Sequence, residues 1–132
     1  MTAKVGIVLV SHSSSLAEGA AELAGQVSGD GVRIGVAGGT DDGRIGTSIE
    51  KVEQAIRAVD GGAGVVILPD LGSSVLTVRT LLADPDDLPA EVVMADAPFV
   101  EGAVAAAVIA AAGGDLAAVL EAAQEARHAR KL

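Results

Sequence analysis

The sequence predicts an α/β protein: an open, doubly wound, mainly parallel sheet of four strands in the order 2-1-3-4, with helices on both faces. Three observations lead there. Short runs rich in Val and Ile alternate with longer segments whose apolar residues recur at helical spacing, in the order βαβαβαβαα. Strict alternation of this kind builds a parallel sheet. The Val/Ile runs are continuous, as in strands buried on both faces. Half of the residues are hydrophobic but only one is aromatic, so Val, Ile, Leu and Ala must build the core.

The elements follow in order. Lys4 to Val10 (KVGIVLV) is the first strand. Ser15 to Val27 is the first helix, with Leu16, Ala20, Leu23, Ala24 and Val27 on one stripe and Ser15 with Glu18 as a capping box. Gly31 to Ala37 (GVRIGVA) is the second strand, followed by a glycine-rich loop, Gly38 to Gly46 (GGTDDGRIG). Thr47 with Glu50 reads as a second capping box, and Ile49, Val52, Ile56 and Val59 form the stripe of the helix behind it. Gly64 to Leu68 (GVVIL) is the third strand and ends at Pro69 and Asp70. Ser73 and Ser74 open a helix that turns Val75, Val78, Leu81 and Leu82 inward. Ala90 to Ala95 (AEVVMA) is the fourth strand. Two helices close the chain, about Phe99 to Ala112 and Asp115 to Ala129, broken at Gly113 and Gly114. With 132 residues and no repeat, linker or low-complexity tail, residues 1–132 are expected to form one domain.

Composition removes several function classes. The absence of Cys excludes disulfides, thiolate catalysis and zinc–thiolate sites. The net charge of −9 and the lack of a basic stripe with aromatics argue against nucleic acid. The acidity fits simple solubility, or steering toward basic protein partners. Only six apolar or Gly residues separate Lys4 from Ser11 and His12, too few for a signal peptide, and the longest apolar run, Ala103 to Ala112, is too short to span a membrane. The expectation is a soluble, cytoplasmic protein.

Open parallel sheets bind ligands beyond the carboxyl ends of their strands, where the strand order reverses. In the 2-1-3-4 order this point lies between strands one and three. Ser11, His12 and Ser13 follow strand one; Asp70, Leu71 and Gly72 follow strand three. The topology therefore brings His12 to Asp70. A neutral imidazole nitrogen is a good phosphoryl acceptor, and works best when its other nitrogen donates to a fixed carboxylate. His12 is the candidate acceptor and Asp70 its orienting partner. Helix N-termini and glycine-loop amides would supply donors for phosphoryl oxygens. The candidate phosphate- or partner-binding residues are Ser13, Gly39, Thr40, Arg44, Gly72 and Ser73. No metal ligand set is read. Each part has a plain structural alternative: an exposed His, an Asp that caps a helix, a flexible connecting loop. His128, among Arg127, Arg130 and Lys131, reads as a solvated helix end.

The stretches GIVLVSHSSSLAEGAAELAGQ, AGGTDDGRIGTS and ILPDLGSS resemble the IIA domains of the mannose class of the bacterial phosphotransferase system. Within that class they are most similar to the phosphotransfer subunits of dihydroxyacetone kinases. The resemblance covers nearly all of the chain. It implies that His12 is phosphorylated, that HPr is the donor and that ADP on a kinase subunit is the acceptor. It also implies a homodimer with no cofactor of its own. Some family members carry HPr-like and enzyme I-like domains after this one. Ser74 stands where the family often has Ala, and Leu76 and Thr77 where a Met-Asn pair is expected. That departure argues against a polar role for this turn and leaves the His–Asp pair intact.

Other readings fit less well. A histidine phosphatase would place Arg directly before the His, where Ser11 stands. A receiver domain would place an acidic pair after strand one, where the chain has Ser-His-Ser. A sugar-transporter IIA domain would more often have Trp-Gly-Gly after the Asp. A regulatory module that only senses phosphorylation stays open.

Overall fold

The computed structural model describes residues 3–40, 46–84, 86, 88–89 and 91–132. The strands are β1 (Gly6–Ser11), β2 (Ile34–Gly38), β3 (Val65–Pro69) and β4 (Val92–Met94). The helices are α1 (Ser14–Ser28), α2 (Ile49–Val59), α3 (Gly72–Leu82), α4 (Phe99–Ala111) and α5 (Leu116–Glu125), and a short 3-10 turn, Ala126–His128, follows. All pairings are parallel and the order is β2-β1-β3-β4, as the alternation predicts.

Alternate residues of the central strands serve two cores. Ile7, Leu9, Val66 and Leu68 face α1, α4 and α5. Val8, Val10, Val65 and Ile67 face α2 and α3. Every residue of β1 and β3 is buried, which is why their sequences are apolar apart from Ser11 at the end of β1. The register sets Ser11 beside Gly38 and Val10 beside Pro69. The carboxyl ends of the three strands thus finish level.

The differences from expectation have local causes. β2 begins at Ile34, because Gly31 turns the chain with φ of 102°. β3 and β4 differ from expectation by a residue or two, and Ala90 lies outside the described residues. Neither expected capping box forms. Ser13 caps α1, accepting from the Leu16 amide at 3.3 Å, and Ser48 caps α2, accepting from the Lys51 amide at 3.3 Å. Asp115 caps α5 through the Ala118 amide at 2.9 Å.

The stripe of α1 is rotated. Its buried residues are Ala17, Ala20 and Ala24, while Leu16, Leu23 and Val27 are about half exposed. The reason lies in α4, which turns Ala103, Ala106, Ala107 and Ala110 into the core. Small residues on both helices permit close approach, so the larger side chains are left at the flank. On α2 the stripe holds at Val52, Ile56 and Val59, while Ile49 stays partly exposed. On α3, Val78 and Leu81 are buried as expected, but the innermost place of the first turn goes to Ser74. No helix among the described residues is long and apolar enough to cross a membrane.

Candidate active site

Asp70 directly follows β3, and its amide donates to the Val10 carbonyl at 2.9 Å. That bond extends the ladder by one step and sets Asp70 beside His12. Five donors surround its carboxylate. Oδ2 accepts from Ser11 Oγ at 2.9 Å and from the His12 amide at 3.0 Å. Oδ1 accepts from the Leu71 amide at 2.7 Å and from Ser74 Oγ at 2.6 Å, and lies 2.9 Å from His12 Nδ1. Ser11 Oγ in turn accepts from the Ser13 amide at 3.0 Å. Ser11 and Ser74 are fully buried, and the Asp70 side chain is 7% exposed.

Burial alone would raise the Asp70 carboxyl. The hydrogen bonds from Ser74, from the His12 and Leu71 amides and from Ser11 together outweigh it and hold its pKa at about 2, below the ordinary 3.8. The folded value is the lower one, so ionised Asp70 stabilises the fold above pH 3.8, and this contribution is lost as pH falls toward 2. The difference corresponds to about 2 kcal/mol. Urea unfolding at about pH 5 and about pH 3 tests it. The stability gap between wild type and Asp70→Asn is expected to narrow at the lower pH.

An ionised carboxylate only accepts, so Asp70 keeps the proton on Nδ1 and leaves the Nε2 lone pair outward. Nε2 faces the Ser73 hydroxyl. With 22% of its side chain exposed, His12 is held on one edge and open on the other.

The rim is strapped from three sides. Gly39 donates its amide to the Ser11 carbonyl at 3.2 Å, and Gly46 donates to the His12 carbonyl at 2.9 Å. Lys51 Nζ donates to the carbonyls of Gly38 at 3.1 Å and Thr40 at 2.9 Å. Thr47 pairs with Thr77 through their hydroxyls at 2.8 Å. Both ends of the glycine-rich loop are thereby pinned near His12. Arg44 lies outside the described residues, as do its neighbours over 41–45. Ser13 is engaged as a helix cap. Gly72 and Ser73 form the first turn of α3, which no side chain caps. The first amides of such a helix have no intrahelical partner.

The expected pair therefore meets at hydrogen-bond distance, with Ser13, Gly39, Thr40, Gly72 and Ser73 around it. Two serines carry more than sequence reading assigned. Ser11 and Ser74 hold Asp70 from opposite sides. The turn from Ser74 to Thr77 is polar after all, through the bonds of Ser74 to Asp70 and of Thr77 to Thr47. An Asp two residues before a helix, with Ser four residues after it, was the available signal. His128 lies 3.9 Å from Glu125 and is largely exposed. A groove of about 420 Å³ beside the pair is lined by Asp70, Val75, Arg79, Met94 and Asp96, among others.

Comparison with known proteins gives this site its family. Residues 6–120 match the model for the PTS system fructose IIA component. The chain is 44% identical over 131 residues to the PEP-dependent dihydroxyacetone kinase phosphoryl donor subunit DhaM of Pantoea ananatis, covering 96% of this chain and 28% of the relative. It is 40% identical over 105 residues to the phosphoryl donor subunit DhaM of dihydroxyacetone kinase 2 of Listeria innocua, covering 79% of this chain and 84% of the relative. The crystal structure of a protein of unknown function, EF1359, superposes with a TM-score of 0.81 at 35% identity, over 92% of this chain and 94% of that one. The chain belongs to the phosphotransferase-system IIA family that this model describes. It spans 28% of the length of the Pantoea relative and most of the Listeria one.

Proposed function

We propose that His12 is a phosphoryl relay. It accepts the group from HPr and hands it to ADP held on a dihydroxyacetone kinase subunit, which makes the chain a phosphotransferase subunit. The observation that carries this is the Asp70–His12 bond of 2.9 Å with Nε2 left outward. The relatives' names, phosphoryl donor subunits of PEP-dependent dihydroxyacetone kinases, support a dihydroxyacetone kinase as the destination.

The chemistry balances on the residues present. The Nε2 lone pair attacks phosphorus as the P–N bond to the donor's histidine breaks. The ring becomes a cation that keeps its Nδ1 proton, and ionised Asp70 stabilises that charge. On release, a phosphate oxygen of ADP attacks phosphorus, the P–Nε2 bond breaks and the ring returns to neutral. In this reading Ser73 and the first amides of α3 donate to the moving oxygens, Gly39 holds the loop against the Ser11 carbonyl through its amide, and Thr40 and Arg44 complete the set read from sequence. The nucleotide stays on the partner, so no cofactor or metal is assigned to this chain.

Protein partners need a surface. Leu71 is 67% exposed and Leu76 62%, on either side of Ser73. Leu71→Asp and Leu76→Asp are expected to raise the KM for the phosphoryl donor roughly tenfold, as central apolar contacts do. Their unfolding midpoints should stay near wild type. Steady-state transfer assays with urea titrations check both. Leu16, Leu23 and Val27 on α1, with Val36 on the edge strand β2, leave apolar surface that supports a homodimer. The working place is the cytoplasm, with no nucleic-acid partner.

The test of the route is a reconstitution. The chain is charged with phosphoenolpyruvate, enzyme I and HPr, then mixed with the ADP-bearing subunit and dihydroxyacetone. Loss of label from the chain with formation of dihydroxyacetone phosphate is expected. Label that stays on the chain, or leaves only for a sugar transporter component, contradicts it.

A further inference from the structure

We infer that Ser74 is a positioning residue whose hydroxyl competes with the His12 Nδ1–H for Asp70 Oδ1, so that the site releases its phosphoryl group more readily than it would without it. The inference rests on the relay reading of His12, and it deepens that reading.

Three donors converge on Oδ1: Ser74 Oγ at 2.6 Å, the Leu71 amide at 2.7 Å and His12 Nδ1 at 2.9 Å. A carboxylate oxygen has two lone-pair directions. The His12 bond is the longest of the three, and it is the one that must hold the cation after phosphoryl uptake. Ser74 Oγ also lies 3.2 Å from Nδ1. Its proton is committed to Asp70, so toward the ring it can only offer a lone pair. The Nδ1 proton is thus divided between a shared carboxylate oxygen and a neutral hydroxyl. A neutral acceptor holds a cation's proton less strongly than a carboxylate does.

The placement of Ser74 is rigid. It is fully buried, four residues after Asp70 on α3, and its neighbour Ser73 faces Nε2 from the same turn. It therefore touches both sides of the pair without reaching the reacting nitrogen. Its removal deletes one oxygen and leaves Asp70 with four donors, so the fold should survive. The remaining Nδ1–H···Oδ1 bond then strengthens, and the phosphorylated ring is held more tightly. One net hydrogen bond's worth of stabilisation corresponds to roughly fivefold in rate.

The experiment has two arms. In the first, ring-labelled unphosphorylated protein is followed by NMR, and the Nδ1 proton of Ser74→Ala is expected downfield of wild type. In the second, phosphorylated protein is mixed with unphosphorylated HPr, and Ser74→Ala is expected to return the group roughly fivefold more slowly, with Ser74→Thr restoring the wild-type rate. An unmoved Nδ1 proton, or release as fast as or faster than wild type in folded Ser74→Ala, overturns the inference. If wild type takes no phosphate at all, the relay reading fails, and the first arm still decides whether Ser74 shapes the Asp70–His12 bond.

Discussion

Asp70→Asn is expected to slow phosphoryl uptake at His12 by roughly 10²-fold or more, the scale of a lost acid–base partner. The argument is a count of donors. Five groups point protons at the two oxygens of Asp70. An amide offers one oxygen and one NH2, so one side of the site must face donor to donor. If the NH2 takes the Oδ1 position, His12 must accept at Nδ1, which moves its proton to Nε2 and blocks the nucleophile. If it takes the Oδ2 position, the His12 amide loses its partner, and the ring keeps only a neutral acceptor. Either outcome also leaves a poorly satisfied polar group near the core, at about 1–3 kcal/mol of stability. Rapid-quench uptake and urea unfolding measure the two effects. An Asn variant that takes phosphate at the wild-type rate would remove Asp70 from the mechanism.

Gly38→Ala is expected to cost roughly 3 kcal/mol, at the upper end of overpacking effects. A Cβ built there falls 2.5 Å from Ser14 Cα and 2.9 Å from both the Ser13 carbonyl oxygen and the Ser14 amide nitrogen. All three are backbone atoms at the start of α1, where no side chain can rotate away. Gly38 ends β2 beside Ser11, so the strain is transmitted directly to the His12 turn. The folded fraction should therefore also transfer phosphate poorly. Gly25→Ala is the control: it lies inside α1 with nothing within 4 Å of the added carbon. It should stabilise by about 0.5–1 kcal/mol through helix propensity. Urea midpoints of the two variants should move in opposite directions.

Much of this was legible in the residue order. Continuous Val/Ile runs identify strands buried on both faces, and their alternation with helices leaves few topologies. The meeting of His12 and Asp70 follows from that topology alone, because β1 and β3 are neighbours whose ends finish level. What was hidden depends on side-chain direction. Leu71 is extended, with φ −128° and ψ 177°, and this turn swings Ser74 back over Asp70. No periodicity reports such a turn, and Ser73 and Ser74 read equally well as ordinary helix openers. The run Ser11, Ser13, Ser14, Ser15 offers several caps of equal chemistry, so the choice of Ser13 falls to the path of the chain out of β1. The burial of Ala17, with Leu16, Leu23 and Val27 left at the flank, was hidden for another reason. It is set by the close approach of α4, a tertiary contact that the pattern of α1 does not contain.

The most direct measurement is the position of the phosphoryl group. The chain is charged with phosphoenolpyruvate, enzyme I and HPr, and the product is analysed by mass spectrometry and by phosphorus–nitrogen NMR. One acid-labile, base-stable phosphoryl group on His12 Nε2, absent from His12→Ala, is the predicted result. Label that persists in His12→Ala, or that is bonded to the oxygen of Ser73, would contradict the account.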